Sequence, residues 1–452
     1  MLSLSQILAI VIFVLMFAAI TSGKIHRYIA AIIGAALMIL VVFLGVMHSP
    51  DAFWKVLNLE QLGHTQFWVP GTHPIESQGV NWQTIIFIAG MMIMVGGLES
   101  AGFFRWMCLH TARLVKCRTM PILISFMVLA GFLSMFIDSI TVLLFLSMVT
   151  IELARLIKFD PVPIIVAEIF AANTGGSATM CGDPPNIIVG TSFGYTFTDF
   201  AINTGPIAWA GMLLAIVYFY LIFRKTLKQG TDPSEMMKSC PLPSSAITNP
   251  RLFKLATAVF ILIVALLITH AYTGLSVAII GVIAAFLSLA IAGREAGEII
   301  KHIDWHTLLF FLGLFICVGG LEVTGVLEKV ARLIGDVSRG NLTIAMSFIL
   351  WLSAFLSAFI DNIPFAATMV PVISDLSKSG GMSLPVLAWA LSLGTDIGGN
   401  ATPIGASANV VGTAISEKEG YPIGWGRFIK YAALPMILVV GLCNALLIWR
   451  YA

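Results

Sequence analysis

The stretch FLSMFIDSI (residues 132–140) returns as FLSAFIDNI (residues 355–363), identical at 7 of 9 positions and 223 residues further on. Each copy lies inside a long apolar run, 120–157 and 341–376, with Asp138 or Asp361 near its middle. Such a run exceeds the roughly 20 residues that cross a bilayer once. A plain span would also leave the central carboxylate in hydrocarbon, where an ionisable group is costly and marks function. Both runs therefore read as re-entrant hairpins with an acidic tip.

The same offset holds outward from the tips. Val95-Gly96-Gly97-Leu98-Glu99 matches Val318-Gly319-Gly320-Leu321-Glu322, and 11 of 21 positions between 82 and 102 equal their partners 223 residues on. Downstream, Gly175-Gly176-Ser177-Ala178-Thr179 matches Gly398-Gly399-Asn400-Ala401-Thr402, and Gly182 and Asn186 match Gly405 and Asn409. An ungapped offset across such a distance is an internal repeat. Earlier spans match at an offset of 247, Ile32-Ile33-Gly34 against Ile279-Ile280-Gly281, because the first half has a longer loop at 48–81.

Composition places the chain in a membrane. Of 452 residues, 58% are hydrophobic and 11% charged, against roughly a quarter charged in soluble domains. Crossings are expected at 4–22, 26–47, 82–103, 163–191, 204–223, 253–270, 275–292, 306–326, 384–414 and 429–449. The first is too long, and too poor in preceding basic residues, for a cleaved signal peptide. With the N-terminus outside, cytoplasmic connections receive 19 of the 25 Lys and Arg, as the positive-inside rule requires. Each repeat then has five crossings and one hairpin. Five is odd, so the second repeat is upside down relative to the first. The expected fold is an all-α polytopic membrane protein of two inverted repeats, 1–224 and 251–452, with broken helices at 163–191 and 384–414. A cytoplasmic linker at 225–250 carries Pro233, Pro241, Pro243 and Pro250.

Inverted repeats with discontinuous helices place a binding site near the membrane midplane. Gly and Pro at mid-span release amides and carbonyls that must find protein, water or ligand. The candidate site has two halves. The first is Asp138, Ser139 and Thr141 at one tip, with Asn173, Thr174, Gly175, Gly176, Ser177, Thr179, Asp183 and Asn186 on the first broken helix. The second is Asp361 and Asn362, with Asp396, Gly398, Gly399, Asn400, Thr402, Ser407 and Asn409. Carboxylates and freed carbonyls suit a hard cation, and freed amides at half-helix N-termini suit an anion. A sodium ion fits at Asp138 or Asp361. No other metal site and no cofactor is expected, the coupling ion being a proton or sodium.

Other features read more plainly. Glu168 lies in the first broken helix and is a proton-relay candidate, although its repeat partner is Leu391. Glu99 and Glu322 lie near span ends, where Arg105 is within reach of the first. The six Cys show no CxxC or His-partnered spacing, so neither a disulfide nor a zinc site is expected. Cys181 reads as a buried, inert thiol. The aromatic loop 49–81 is expected on the membrane surface. No nucleophile–base pair or HExxH motif suggests an enzyme, and no basic tail suggests nucleic acid.

The motifs FLSMFIDSITVLLF (132–145), NTGGSATMCGDPPNIIVG (173–190), SAFIDNIPFAATMVPV (357–372) and GGNATPIGASANVVG (398–412) resemble the ion transporter superfamily. The resemblance covers essentially the whole chain. It is nearest the branch of arsenite permeases, the melanosomal P protein and D-type sodium/proton antiporters, and more distant from the divalent-anion/sodium symporters. It implies a scaffold and a transport domain, elevator-like alternating access and a bacterial inner-membrane location. The function it implies is export of a small inorganic solute such as arsenite or antimonite in exchange for protons. Sodium/proton antiport and ion-coupled uptake of an organic anion of dicarboxylate or citrate type are the alternatives. The last lacks an intramembrane Arg or Lys to neutralise the anion, and the symporters' Ser-Asn-Thr tips are replaced here by Asp138-Ser139-Ile140-Thr141 and Asp361-Asn362-Ile363-Pro364. An acidic tip favours exchange of a proton for a cation. Partners are a small inorganic ion or anion and membrane lipid, with a homodimer implied by the wider superfamily; a soluble ATPase partner leaves no trace in the sequence.

Overall fold

Asp138 and Asp361 each end a tip and begin a helix. Asp138 caps Ser139–Ile157 by accepting from Thr141 N at 3.0 Å, and Asp361 caps Asn362–Gly380 by accepting from Ile363 N at 3.1 Å. The N-terminal amides of a helix have no partners of their own, so an Asp there is both a tip charge and a stop signal. The computed structural model describes residues 2–22, 24–69, 79–227, 240–301 and 303–452, so the 228–239 part of the expected linker lies outside the described residues.

Among the described residues the chain is all-helical, without strands. Eight helices are long and apolar enough to cross a membrane, and Thr119–Leu133, Val162–Gly176, Val277–Ala292 and Leu342–Ser357 are shorter apolar ones. Val162–Gly176 has 15 residues, about 22 Å at 1.5 Å per residue, short of the roughly 30 Å hydrocarbon core. It stops where the glycines interrupt it and resumes as Pro184–Phe193. The second interrupted helix runs Leu384–Gly398, then Ser407–Lys418.

Bonds that hold the two breaks recur at the sequence offset. Thr179 Oγ1 donates to Met135 O, and Thr402 Oγ1 donates to Ala358 O. Asn186 Nδ2 donates to Gly176 O and Thr179 O, both at 3.1 Å, and Asn409 Nδ2 to Gly399 O and Thr402 O, both at 2.7 Å. The hairpin arm Thr119–Leu133 packs on Val162–Gly176, as Leu342–Ser357 packs on Leu384–Gly398. These contacts are glycine-close: a Cβ on Gly175 would lie 2.3 Å from Gly131 O, and one on Gly398 2.2 Å from Ala354 Cα.

The halves also exchange elements. Ser407–Lys418 packs on Ser139–Ile157 and Val162–Gly176, while Pro184–Phe193 packs on Asn362–Gly380 and Leu384–Gly398. Trp82–Ser100 packs on Val277–Ala292, and Trp305–Val323 on Arg27–Leu37. Each of these pairings crosses from one repeat to the other.

Two expectations need correcting. Cys117 and Cys240 form a disulfide 123 residues apart in sequence; folding brings the end of the linker against the connection before Thr119–Leu133, which no local Cys spacing could reveal. The 49–81 loop is not simply a surface segment: Pro50–Leu57 is a helix whose Val56 side chain packs against Gly319, and Phe67 is fully buried.

Candidate functional site

The two tips meet through Asp183. Ser139 Oγ donates to Asp183 Oδ1 at 2.6 Å, and Asn362 Nδ2 donates to Asp183 Oδ2 at 3.3 Å. One carboxylate from the first broken helix thus holds a tip residue from each repeat. Asp138 itself is occupied locally, taking Thr141 N at 3.0 Å and Thr141 Oγ1 at 2.8 Å.

Asp361 is held quite differently. Its Oδ2 accepts from Arg27 Nη1 at 3.2 Å and from Ser407 Oγ at 3.0 Å. Arg27 Nη1 also lies 2.6 Å from Ser407 Oγ, its Nη2 donates to Thr307 Oγ1 at 2.9 Å, and its guanidinium stands 5.1 Å from the Phe310 ring centre. A guanidinium suits this position because its planar fork serves several acceptors at once and stacks on a ring. The sequence reading left the site without a cation and assigned Arg27 to a cytoplasmic connection; the structure places it at the first residue of Arg27–Leu37, pointing into the site. The available signal was its position at the very start of an apolar span.

Arg27 and Asp138 line one cavity of about 310 Å³, with Glu99, Cys181, Asp304 and Thr307. A second cavity of about 240 Å³ is lined by Asn81, Ser192, Glu322, Asp375 and Lys378. The two are repeat counterparts, since Val95, Gly96 and Glu99 line the first where Val318, Gly319 and Glu322 line the second, and Asp304 stands where Asn81 does. Cys181 is buried in the hydrophobic core and borders the first cavity.

Behind the tips lies a buried polar layer. Asn173 Nδ2 donates to Asn400 Oδ1 at 2.9 Å and Asn409 Oδ1 at 2.8 Å, and Asn400 Nδ2 lies 3.4 Å from Thr174 Oγ1. Asp396 is fully buried, and neither carboxyl oxygen has a hydrogen-bond partner. The remaining candidates serve packing. Ser177 Oγ bonds Thr174 O, and Thr174 Oγ1 bonds Phe170 O. Gly175, Gly176, Gly398 and Gly399 are places where backbones touch, with Gly176 against Gly182 O and Gly399 against Gly405 O. Glu168 sits apart, fully buried, taking Thr150 Oγ1 at 2.5 Å on one oxygen while the other has no partner.

Paired tips, paired interrupted helices and two repeat-related cavities in an apolar helical protein define a secondary transporter and not an enzyme. Residues 13–394 match the citrate transporter family, and the chain belongs to that family. It is 32% identical over 448 residues to an uncharacterized transporter of Mycobacterium tuberculosis, with 99% of both chains covered. It is 29% identical over 508 residues to the P protein of Sus scrofa, covering 92% of this chain and 59% of that one. The YdaH transporter of Alcanivorax borkumensis has the same fold, with TM-score 0.59 at 14% identity over 94% of this chain and 98% of that one. With full-length bacterial relatives and eight candidate spans, the chain is an integral plasma-membrane protein.

Proposed function

We propose that the chain is an ion-coupled transporter of a small polycarboxylate anion, with Arg27 as the anchor for one substrate carboxylate. The observation that carries this reading is the pairing of Arg27, which lines the cavity, with Asp361 at 3.2 Å, the two side chains being 25% and 14% exposed. A substrate carboxylate that takes the guanidinium fork displaces Asp361 and adds negative charge to the site, which an entering cation must balance. Anion and cation binding are thereby coupled without further parts. The cavity's other carboxylates, Asp138, Glu99 and Asp304, oppose a bare anion and favour one that enters with its cation. Membership in the citrate transporter family supports the substrate class. Elevator-like movement of the tips and broken helices past the remaining helices would expose the two cavities in turn, and a homodimer is the expected assembly.

A second reading, export of arsenite or antimonite in exchange for protons, is favoured by one feature: Cys181, Met91 and Met92 put three sulfurs on the same cavity. Sodium/proton antiport would use Asp138 and Asp361 alone. Proteoliposomes loaded with a pH dye separate the three. Citrate-dependent proton or sodium movement is the expected outcome. Proton flux that needs arsenite instead, or sodium-driven proton flux without any solute, would replace the proposal by one of the others.

A further inference from the structure

Asn186 and Asn409 stand 223 residues apart, and each spends its Nδ2 on two carbonyls that close the break in its own repeat. Two acceptors facing one amide end identify that end as nitrogen, since an oxygen there would meet only oxygens. The carboxamide oxygen of each Asn is therefore the end left for a donor. For Asn409 that donor comes from the other repeat: Asn173 Nδ2 reaches Asn409 Oδ1 at 2.8 Å.

The repeat counterpart of Asn173 is Asp396. The 223 offset makes Asp396 with Asn186 the counterpart of Asn173 with Asn409. Here, however, Asn186 Oδ1 and both Asp396 oxygens are buried without a partner. An ionised Asp396 would leave a charged acceptor without a donor at a fully buried place, and an unmatched buried polar atom costs about 1–3 kcal/mol, more if charged. A single hydrogen removes the conflict, because a carboxylic O–H then supplies to Asn186 Oδ1 the bond that an amide N–H supplies to Asn409 Oδ1. The elements packed around Asp396 are Val162–Gly176, Pro184–Phe193, Leu342–Ser357, Asn362–Gly380 and Trp425–Tyr451. Among the described residues, the charged group acting on it is Asp183, a second carboxylate that opposes another negative charge and is itself tied to both tips.

We propose that Asp396 carries the coupling proton, held as a neutral acid that donates to Asn186 Oδ1 across the interface between the repeats. This rests on the reading of the chain as an ion-coupled transporter. On loading, one proton from water adds to an Asp396 carboxylate oxygen; on release it returns to water on the other side, with Asp183 as the carboxylate between Asp396 and the tips. The Asn173–Asn409 bond keeps the opposite half fixed, so the site holds one proton rather than two.

The test does not depend on knowing the substrate. Infrared spectra of the full chain in lipid bilayers are compared between neutral and alkaline pH, in ordinary and heavy water. The wild type is expected to show a carboxylic-acid C=O band that Asp396→Asn abolishes and that sodium chloride leaves unchanged. Asp396→Asn should melt no lower than wild type, since its amide supplies the same donor. Asn173→Asp should add a second band, because it rebuilds the arrangement against Asn409, and this variant decides the matter if Asp396→Asn does not fold. An unchanged spectrum in Asp396→Asn, or a band removed by sodium at neutral pH, overturns the proposal. In proteoliposomes, Asp396→Asn should lose citrate-driven proton uptake. Wild type that moves no citrate refutes the substrate reading alone, and the infrared band still decides Asp396.

Discussion

Replacing Arg27 tests the substrate anchor directly. The guanidinium holds Asp361 and Ser407 with one nitrogen and Thr307 with the other, so it ties the second tip and the second broken helix to Trp305–Val323. Lys keeps the charge, but its single ammonium cannot reach both sets of partners with fork geometry. A hydrogen bond to a charged group is worth about 1.5–3 kcal/mol when buried. With 25% and 14% of the two side chains exposed, the lower end applies. Arg27→Lys should therefore weaken citrate binding about tenfold, at roughly 1.4 kcal/mol per factor of ten. Arg27→Ala also leaves Asp361 without its cation, and removing one member of a buried pair costs about 3–5 kcal/mol. Partial exposure reduces this to about 3 kcal/mol of folding stability, while citrate affinity falls further than in Arg27→Lys because the charged anchor itself is gone. The assay is the KM for citrate uptake into proteoliposomes, read beside thermal unfolding. The melting loss of Arg27→Ala should largely return in the Arg27→Ala/Asp361→Ala double variant, because the unpaired carboxylate is gone, while the raised KM should remain. If Arg27→Lys keeps the wild-type KM and melting curve, the fork has no role and the anchor is elsewhere.

Other changes probe the frame of the site. Gly175→Ala would put a Cβ 2.3 Å from the Gly131 backbone, whereas no atom lies within 4 Å of one on Gly426; the first should destabilise by about 3 kcal/mol and the second leave the melting temperature unchanged. A stable Gly175→Ala protein would mean that the helices are farther apart than described. Asn409→Ala frees Gly399 O and Thr402 O and strips Asn173 of an acceptor, a loss of roughly 3 kcal/mol. Thermal melting in detergent reads it, and an unshifted curve would show that the amide does not hold the break. Alkylation of the denatured, unreduced protein should label four cysteines and, after reduction, six. Six labels before reduction would dismiss the Cys117–Cys240 bond.

Legibility in the sequence followed distance along the chain. The repeat was readable because an offset of 223 is a pattern within one string, and the tips and interruptions announced themselves through Asp, Gly and Pro. Asp183 was recognisable as a site residue, but its joining of Ser139 to Asn362 was not, since no local rule pairs residues 179 apart. Arg27 was misplaced for the same reason. Its partners lie 280, 334 and 380 residues away, and from the string alone a basic residue at a span boundary looks like a topology signal. At Gly175 and Gly398 what the structure adds is the missing Cβ, since a side chain there would meet the Gly131 or Ala354 backbone. Glu168 was singled out as an oddity, and its burial beside Thr150 agrees with that, but the structure links it to neither tip.

The exchange of half-helices between the repeats bears on how such a chain arose. Pro184–Phe193 rests on helices of the second half and Ser407–Lys418 on helices of the first, so a half-length polypeptide packed in this way would be complete only when clasped by a twin. Two identical twins would carry every charge in duplicate. Fusion into one gene lifts that constraint. Arg27 has Gly274 as its counterpart at the 247 offset, and Asp396 has Asn173. The joined chain thus holds one cation and one added acid where a symmetric ancestor would have had two of each or none.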